Sequence, residues 1–339
     1  MGEEVHVLGH FGGRNLGDEL MLAGLIALVH GADPDAKVRA WSLSDIRRIV
    51  RLLGSRRRGK LVVLSGSSFH DYYPSGARIR RQQVAKATYV ALVELARLRG
   101  WQVVFIGSLG PSWRPASRML DLALVRATDV LLVRDQRSLD TASRYLRLRA
   151  EAHLVPDPAL PALDRAIGRL PADNRAASGT ALVCPVVDRQ YPEWTYPAPD
   201  PMVAGLAREG FTHLTVAPSH SARATDGDGA AVDKLCAAAN RAGLPYSVDA
   251  HQASDPIADQ DQSARDKTVD EIVSTFASYD LVVSSRLHPG LVAAAVGRPT
   301  VLAPYHPKLH EVIGEQFDQL TFLGPNPTDE DVVDAIRQA

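Results

Sequence analysis

Residues 284–309 read SSRLHPGLVAAAVGRPTVLAPYHPKL, and this stretch decides the fold class. The overlapping run YDLVVSS, Tyr279–Ser285, predicts a buried parallel strand. Pro289 suits the first turn of the following helix, where its missing N–H costs nothing, and Gly297 is typical of a helix end. Thr300–Ala303 predicts the next strand. A strand, a helix and a strand in so compact a unit indicate an α/β fold.

Arg286 and His288 follow the first of these strands at its C-terminal end. A helix N-terminus favours an anion, because its N–H groups are unsatisfied and its dipole end is positive. Arginine adds a planar fork for carboxylate or phosphate, and histidine can carry a proton near neutral pH. Open α/β sheets bind ligands at such strand ends. The alternative is a structural arginine and a capping histidine, and position alone does not decide between them.

Composition predicts a globular protein of about two domains, with 339 residues, 45% hydrophobic and 23% charged. Lys plus Arg number 38 and Asp plus Glu 39, so the overall charge predicts no nucleic-acid partner. The two cysteines, Cys184 and Cys236, sit in apolar contexts that suit a reducing compartment. The acidic start MGEEVHVLG is not a signal peptide, and no apolar run is long enough for a transmembrane segment. We therefore expect a cytoplasmic protein.

Strands alternate with helices over the first half of the chain, which predicts a doubly wound parallel sheet. A composition rich in Ala, Arg, Asp and Gly then marks an interdomain linker over 164–180. Strands and helices alternate again in the second half, and the acidic segment Asp249–Asp266 predicts a mobile loop over a cleft. The chain thus predicts two Rossmann-like domains facing a cleft, at 1–165 and 178–327, with a terminal helix at 328–339. Helices are predicted at Asp18–His30 and Thr268–Ala277, and Thr328 is predicted to cap the C-terminal helix.

The N-terminal stretch GHFGGRNLGDE, residues 9–19, is a glycine-rich loop between a strand and a helix. It is not a P-loop, since Asp18 and Glu19 stand where Lys and Ser or Thr belong, and G-x-G-x-x-G is absent. Two acids at a helix start would repel a phosphate, so Asp18 is interpreted as an N-cap or a group on the acceptor side. The structural alternative is a tight loop before a capped helix. Elsewhere, the basic cluster Arg56–Arg58 and Lys60 indicates a solvated face or loop, or contact with an anionic acceptor or a membrane surface.

The RLH stretch, followed by a small-residue helix, a Gly-x-Pro turn and YHPK, resembles the polysaccharide pyruvyl transferase family. The N-terminal GxxNxGDE is similar to a second motif of that family and here places Asn15, Gly17 and Asp18. The GSLGP, VRD…S and LVPDPAL segments between them are also similar to the family pattern, and Asp135 of VRD…S is interpreted as the cap of the next helix. One departure is SGS at Ser65–Ser67, where the family usually has three glycines in a loop.

The resemblance implies a GT-B-like arrangement and a transferase that moves the enolpyruvyl-derived unit of phosphoenolpyruvate onto a saccharide diol, as a ketal. Arg286 and His288 lie after the linker and Asn15 and Asp18 before it, so we expect the donor to bind mainly to the second domain and the acceptor mainly to the first. The sequence shows no convergent cluster of carboxylates or of His and Cys, so we expect no metal, and no cofactor besides the donor. The catalytic candidates are His288, which would protonate the donor methylene, Arg286, which would hold its carboxylate or phosphate, and Asp18. The substrate-binding candidates are Arg286, Leu287, Asn15, Gly17, Gly66, Arg189 and His220.

Two other functions remain open at this point. The first is a GT-B glycosyltransferase that uses a nucleotide sugar, because Arg and His also serve diphosphates. The second is a non-catalytic saccharide-binding relative, which the altered SGS segment keeps in consideration. The acceptor sugar, its attachment to a lipid and the formation of a homo-oligomer are left open by the sequence. A serine hydrolase is disfavoured because G-x-S-x-G is absent, and a zinc helix at His306 and His310 because Pro307 intervenes.

Overall fold

The computed structural model describes residues 4–11, 15–42, 45–54, 59–69, 76–110, 112–145, 151–171, 179–185, 198–218, 228–249, 257, 260–303, 308–313, 317, 320–324 and 327–339. The chain forms two compact units, each built on its own parallel sheet. The first contains the described residues of 1–12, 18–161 and 257–259, and the second contains those of 13–17, 162–256 and 260–339.

The first unit is a six-stranded parallel sheet with helices. Its strands are β1 (Glu4–Gly9), β2 (Lys37–Ser42), β3 (Lys60–Phe69), β4 (Gln102–Leu109), β5 (Val130–Val133) and β6 (Glu151–Leu154). The helices that accompany them are α1 (Leu16–Ala32), α2 (Ile46–Gly54), α3 (Gly76–Leu98), α4 (Pro115–Ala127), α5 (Gln136–Ser143) and α6 (Leu160–Ile167), the last crossing the division between the units. The central strands carry fully buried apolar residues, such as Val63, Phe105 and Leu131, because helices cover parallel strands.

The second unit repeats this architecture. Its strands are β7 (Thr180–Cys184), β8 (His213–Val216), β9 (Tyr246–Val248), β10 (Leu281–Ser284), β11 (Thr300–Leu302) and β12 (Leu320–Phe322). Its helices are α7 (Pro199–Arg208), α8 (Asp228–Ala242), α9 (Gln262–Ala277), α10 (Leu287–Ala295), α11 (Lys308–Ile313) and α12 (Asp329–Gln338). The predicted α/β class with parallel sheets is therefore confirmed.

Strand order locates the place in each sheet where a ligand crevice forms. The first sheet runs β2-β1-β3-β4-β5-β6, so the chain reverses its direction of travel between β1 and β3. The second runs β12-β11-β10-β7-β8-β9 and reverses between β7 and β10. In open α/β sheets ligands bind outside the carboxyl ends of the strands at such switch points. The segments after β1 and β10 are the two that carry the motifs described above.

Several local predictions are confirmed by the structure. The Asp135 carboxylate accepts a 2.8 Å hydrogen bond from the Ser138 N–H and caps α5. Thr328 and Asp331 form a reciprocal capping box at the start of α12. Gly297 follows α10 with φ +71°, a left-handed conformation that suits glycine after a helix.

Three boundaries differ from the sequence prediction. Helix α1 begins at Leu16, so Asp18 lies inside its first turn and is not the N-cap. Strand β3 continues to Phe69, which places Gly66 on a strand and not in a loop. Helix α9 begins at Gln262 after the Asp261 cap, so the end of the predicted acidic loop is helical.

None of the helices that the structure describes is long and apolar enough to cross a membrane. Cys184 and Cys236 are both free thiols.

Candidate functional site

The Arg286–His288 stretch begins helix α10, directly beyond the carboxyl end of β10. In register, Ser284 at that end pairs with Cys184 of β7 and Leu302 of β11, so the stretch lies at the switch point of the second sheet. The Ser284 hydroxyl fixes the turn, because it accepts a 3.1 Å bond from the Arg286 N–H and donates a 2.8 Å bond to the Arg286 carbonyl. Arg286 is the N-cap residue, with φ −102° and ψ 145°.

Helix α10 is held tightly against the sheet, which fixes the direction of its N-terminus. Leu287 is 8% exposed, and Leu291 and Val292 in the next turn are completely buried. A Cβ on Gly290 would lie 2.5 Å from a methyl carbon of Leu302, so this glycine permits the close packing of helix on strand. The sequence candidates Arg286, Leu287 and His288 are therefore presented by a rigid element, with the first-turn N–H groups at the strand ends.

Gly17 places the N-terminal GxxNxGDE motif against the start of α10. A Cβ on Gly17 would stand 2.6 Å from Cε1 and 2.8 Å from Cγ of His288, and closer still to Nδ1. Real Cβ atoms do not approach other atoms this closely, so the imidazole occupies space that exists because residue 17 has no side chain. The two sequence motifs therefore meet through a direct contact between Gly17 and the His288 ring.

Asn15 fixes the backbone that carries Gly17. Its side-chain oxygen accepts a 3.0 Å hydrogen bond from the Gly17 N–H, the pattern of a residue that precedes and caps a helix. Asn15 and Gly17 both belong to the second unit, together with Arg286 and His288. The sequence interpretation placed Asn15 and Gly17 with the first domain. The structure assigns them differently, since the missing side chain at 17 lets that segment pack against His288.

Asp18 and Glu19, the acids of the same motif, belong to the first unit. Asp18 is half-buried, and its charge adds to burial in raising the pKa of Tyr89. Glu19 is 1% exposed, and its carboxylate accepts a 2.7 Å hydrogen bond from the backbone N–H of Ile257. Glu19 therefore anchors residue 257, which is itself completely buried.

The other substrate-binding candidates from the sequence lie on an irregular strand or outside the described residues. Gly66 lies on β3, where the pairing with β4 is irregular between Ser65 and Phe69. Arg189 and His220 fall outside the described residues, as do His306 and the Arg56–Arg58 run. Among the described residues, no three His, Cys, Asp or Glu side chains converge as a metal-binding group.

Two of the other family-like segments serve the architecture of the first unit. Arg134, from VRD…S, is 2% exposed and donates a 2.5 Å hydrogen bond to Asp157, from LVPDPAL. Its Nε donates to the Ser108 hydroxyl at 2.9 Å, and Asp157 also accepts from the Ala159 N–H at 3.0 Å. A buried ion pair that is also hydrogen-bonded in this way ties the ends of β4 and β5 to the start of α6.

Sequence reasoning missed two side chains at the switch point of the first sheet. His10 directly follows β1, and its ring meets Tyr89 of α3 edge-on at a centroid distance of 5.7 Å. Surrounding protein atoms desolvate the His10 ring and lower its pKa, although the residue keeps accessible surface. His10 could have been found from its place after the first strand. Tyr89 could not, because one aromatic residue on a helix stripe is typical of a core position.

Two Rossmann-like units, one carrying an Arg-x-His helix start at its switch point, define a GT-B-type α/β protein. More narrowly, the chain belongs to the polysaccharide pyruvyl transferase family, whose sequence model matches residues 15–307. The match includes Gly17 and His288, where the two motifs meet. No curated protein sequence matches the chain.

Solved structures with GT-B folds are similar to this chain at low identity. The UDP-GlcNAc 2-epimerase from Neisseria meningitidis bound to UDP-GlcNAc is 9% identical, with a TM-score of 0.54 over 99% of this chain and 90% of that one. The Anabaena HepE protein in complex with UDP is 11% identical, with a TM-score of 0.53 over 98% and 89%. The Escherichia coli ADP-heptose heptosyltransferase II is 14% identical, with a TM-score of 0.50 over 98% and 97%. These likenesses support the fold and nothing narrower.

Proposed function

We propose that the protein transfers the enolpyruvyl-derived unit of phosphoenolpyruvate to two hydroxyls of a saccharide, forming a pyruvate ketal in the synthesis of a cell-surface polysaccharide or glycoconjugate. The observation that carries the proposal is the contact between Gly17 and His288 at the switch point of the second sheet. It joins the two motifs of the family in one place and gives the histidine a fixed position. Family membership supports a transferase. The residues at the start of α10 support phosphoenolpyruvate as its donor.

The donor is a small trianion, and the start of α10 has the chemistry to bind it. The helix N-terminus contributes N–H groups and a positive dipole end. The Arg286 guanidinium can hold a carboxylate or a phosphate through two parallel hydrogen bonds. These groups could neutralise the donor without a metal ion, and we propose that none is required. Activity that is lost with EDTA and restored by a divalent cation would contradict this part of the proposal.

His288 is proposed to donate a proton to the methylene carbon of the donor. Protonation converts CH₂ to CH₃ and leaves an oxocarbenium-like centre at the neighbouring carbon, which the first acceptor hydroxyl attacks. The C–O bond to phosphate then breaks, phosphate leaves with the electron pair, and the second hydroxyl closes the ketal. Of the two hydroxyl protons released, one balances the proton given to carbon and the other leaves with phosphate or solvent. A positioned acid contributes roughly 10²- to 10⁴-fold to such a step.

The acceptor is proposed to bind the first unit, where Asp18 lies at the start of α1. This assignment rests on the topology of the first sheet, whose switch point lies beside the same segment. A soluble protein that acts in the cytoplasm on a soluble or lipid-linked saccharide is consistent with the family. The rival donor is a nucleotide sugar: the Neisseria meningitidis structure contains UDP-GlcNAc, and the Anabaena structure contains the nucleotide UDP.

Product mass decides between the two donors. The purified protein is incubated with a panel of methyl hexopyranosides, which offer both 1,2- and 1,3-diols, and with phosphoenolpyruvate or UDP-sugars. We expect a mass increase that matches a pyruvyl ketal, with release of one phosphate. Glycosyl transfer from a UDP-sugar, with no ketal, would refute the proposal.

Two variants then separate the roles at α10. Arg286→Lys keeps the charge and loses the fork, so donor affinity should fall by about tenfold to a hundredfold. His288→Gln should lower kcat by at least about a hundredfold with little change in donor Kd, because its contribution arises in the transition state. Isothermal titration with phosphoenolpyruvate and single-turnover rates measure both. A folded His288→Gln protein with normal turnover would remove His288 from the mechanism.

A further inference from the structure

Tyr89 carries a hydroxyl that packing does not explain. The residue is 1% exposed on α3, and its ring packs against Phe69 at a centroid distance of 5.8 Å. Its hydroxyl oxygen is buried and has no hydrogen-bond partner among the residues that the structure describes. A buried hydroxyl left in this state is costly, and phenylalanine would fill the same space without that cost. Natural proteins break such a rule mainly at functional sites.

The residues around Tyr89 have the character of a ligand-binding site at the switch point of the first sheet. Its ring meets the His10 ring at 5.7 Å with an interplanar angle of 71°. The Asp18 charge acts on the Tyr89 hydroxyl from the first turn of α1. His10 follows β1 at the switch point of the first sheet, and it keeps accessible surface while Tyr89 does not. We call His10, Asp18 and Tyr89 the His10 cluster.

We propose that His10 is the general base that takes the proton from the attacking acceptor hydroxyl, and that Tyr89 is the positioning residue beneath it. This inference rests on the proposed function and extends it from the donor to the acceptor. As the hydroxyl oxygen bonds to the central donor carbon, its O–H bond breaks and the proton moves to the His10 imidazole. The electron pair of that O–H bond stays on oxygen. Tyr89 acts through its edge-on contact, which sets the orientation of the imidazole ring, and through the dipole of its buried hydroxyl, which tunes the proton affinity of that ring.

The protonation states of the cluster agree with these roles. Desolvation lowers the pKa of His10 from its ordinary value of 6.5, so the imidazole is neutral and able to accept a proton at neutral pH. Burial, followed by the Asp18 charge, raises the pKa of Tyr89, so the phenol stays neutral. The buried cation on the same helix, Lys86, is paired with Asp121 at 3.4 Å.

The first test is His10→Gln in the whole 339-residue chain, assayed by ketal formation. We expect kcat to fall by roughly a hundredfold or more, with donor Kd unchanged. The wild-type rate should also fall at low pH as His10 is protonated, and this acidic limb should disappear in the variant. His153→Gln is the matched control, because His153 is an exposed histidine on β6 of the same unit. Its kinetics and pH profile should match the wild type.

The second test is Tyr89→Phe, which removes the hydroxyl and keeps the ring. The melting temperature should stay the same or rise, because an unsatisfied buried group is lost. Acceptor kcat/KM should nevertheless fall by roughly tenfold, and the acidic limb of the pH profile should move. Unchanged kinetics in both variants, with an active wild type, would overturn the inference while the proposed function stands. A wild-type protein that forms no ketal would overturn the proposed function, and the role of His10 with it.

Discussion

Gly17→Ala adds one methyl group at the contact on which the proposed site depends. The new Cβ would stand 2.6 Å from Cε1 and 2.8 Å from Cγ of His288, where ordinary van der Waals contact begins near 3.4 Å. The histidine ring must therefore move by about 1 Å or more, because its Nδ1 lies closer still to the new Cβ. Displacements of about 1 Å in a catalytic group can reduce the rate by about 10²-fold, or roughly 2.7 kcal/mol of activation free energy. We expect kcat to fall by about that factor.

Stability should change far less than activity. Gly17 is the second residue of α1, and alanine is favoured over glycine in a helix by about 1 kcal/mol. Overpacking typically costs about 1–3 kcal/mol, although a side chain that can rotate away reduces that cost. The free energy of unfolding should therefore lie within about 2 kcal/mol of the wild type. Urea denaturation and single-turnover ketal formation measure the two quantities on the same samples.

Gly229→Ala is the matched control, because Gly229 is the second residue of α8 and a Cβ there meets nothing within 4 Å. It should gain helix stability and keep full activity. A second control combines Gly17→Ala with His288→Ala, since removing the imidazole removes the collision and leaves the propensity gain. A Gly17→Ala protein with wild-type kcat would refute the reasoning, because His288 would then tolerate displacement without loss.

Three further predictions concern the scaffold. Lys86→Met should destabilise the protein by about 3–5 kcal/mol in urea denaturation, because the Asp121 carboxylate loses a fully buried partner; adding Asp121→Leu should recover most of the loss. Asp135→Ala should cost about 0.5–2 kcal/mol by removing the α5 cap, and an unchanged urea midpoint would contradict that role. Hydrogen bonds from the Thr328 hydroxyl and backbone lower the pKa of Asp331 below its ordinary 3.8, so its stabilising effect is present above that pH and is lost as the pH falls through the lowered value. The difference in urea midpoint between wild type and Asp331→Asn should accordingly narrow in acid.

The sequence predicted the elements whose signals are local. An apolar run identified β10, and capping residues identified the starts of α5 and α12. The start of α1 was misplaced because both Asn15 and Asp18 are good N-caps, and the choice depends on the Asn15 to Gly17 hydrogen bond. The start of α9 was missed because its first turns are exposed and polar, and a solvated helix has no apolar period to detect.

Strand β3 shows a different limit of sequence reasoning. Its SGSSF end has weak strand propensity and was interpreted as a loop. A tertiary contact extends it, because β4 approaches so closely that a Cβ on Gly107 would overlap the Ser65 carbonyl. The candidate site has the same character: the Arg286 and His288 motif could be found from the sequence, but the contact that holds His288 joins two distant segments. Tyr89 could not be identified from the sequence, because the feature that marks it is a buried hydroxyl with no hydrogen-bond partner among the described residues.

The bond from Ile257 to Glu19 spans 238 residues of sequence and makes the first unit discontinuous. A ribosome must synthesise β7, β8 and β9 before residue 257 emerges, so the first unit cannot complete its core during the synthesis of its own sheet. The second unit in turn uses residues 15–17, which were made at the very beginning. A gene cut between codons 161 and 162 would therefore encode two incomplete halves. Each separately expressed half would carry a short segment that belongs to the other unit, so we expect the halves to fold better together than apart, which mixing the two fragments and measuring their melting curves would test.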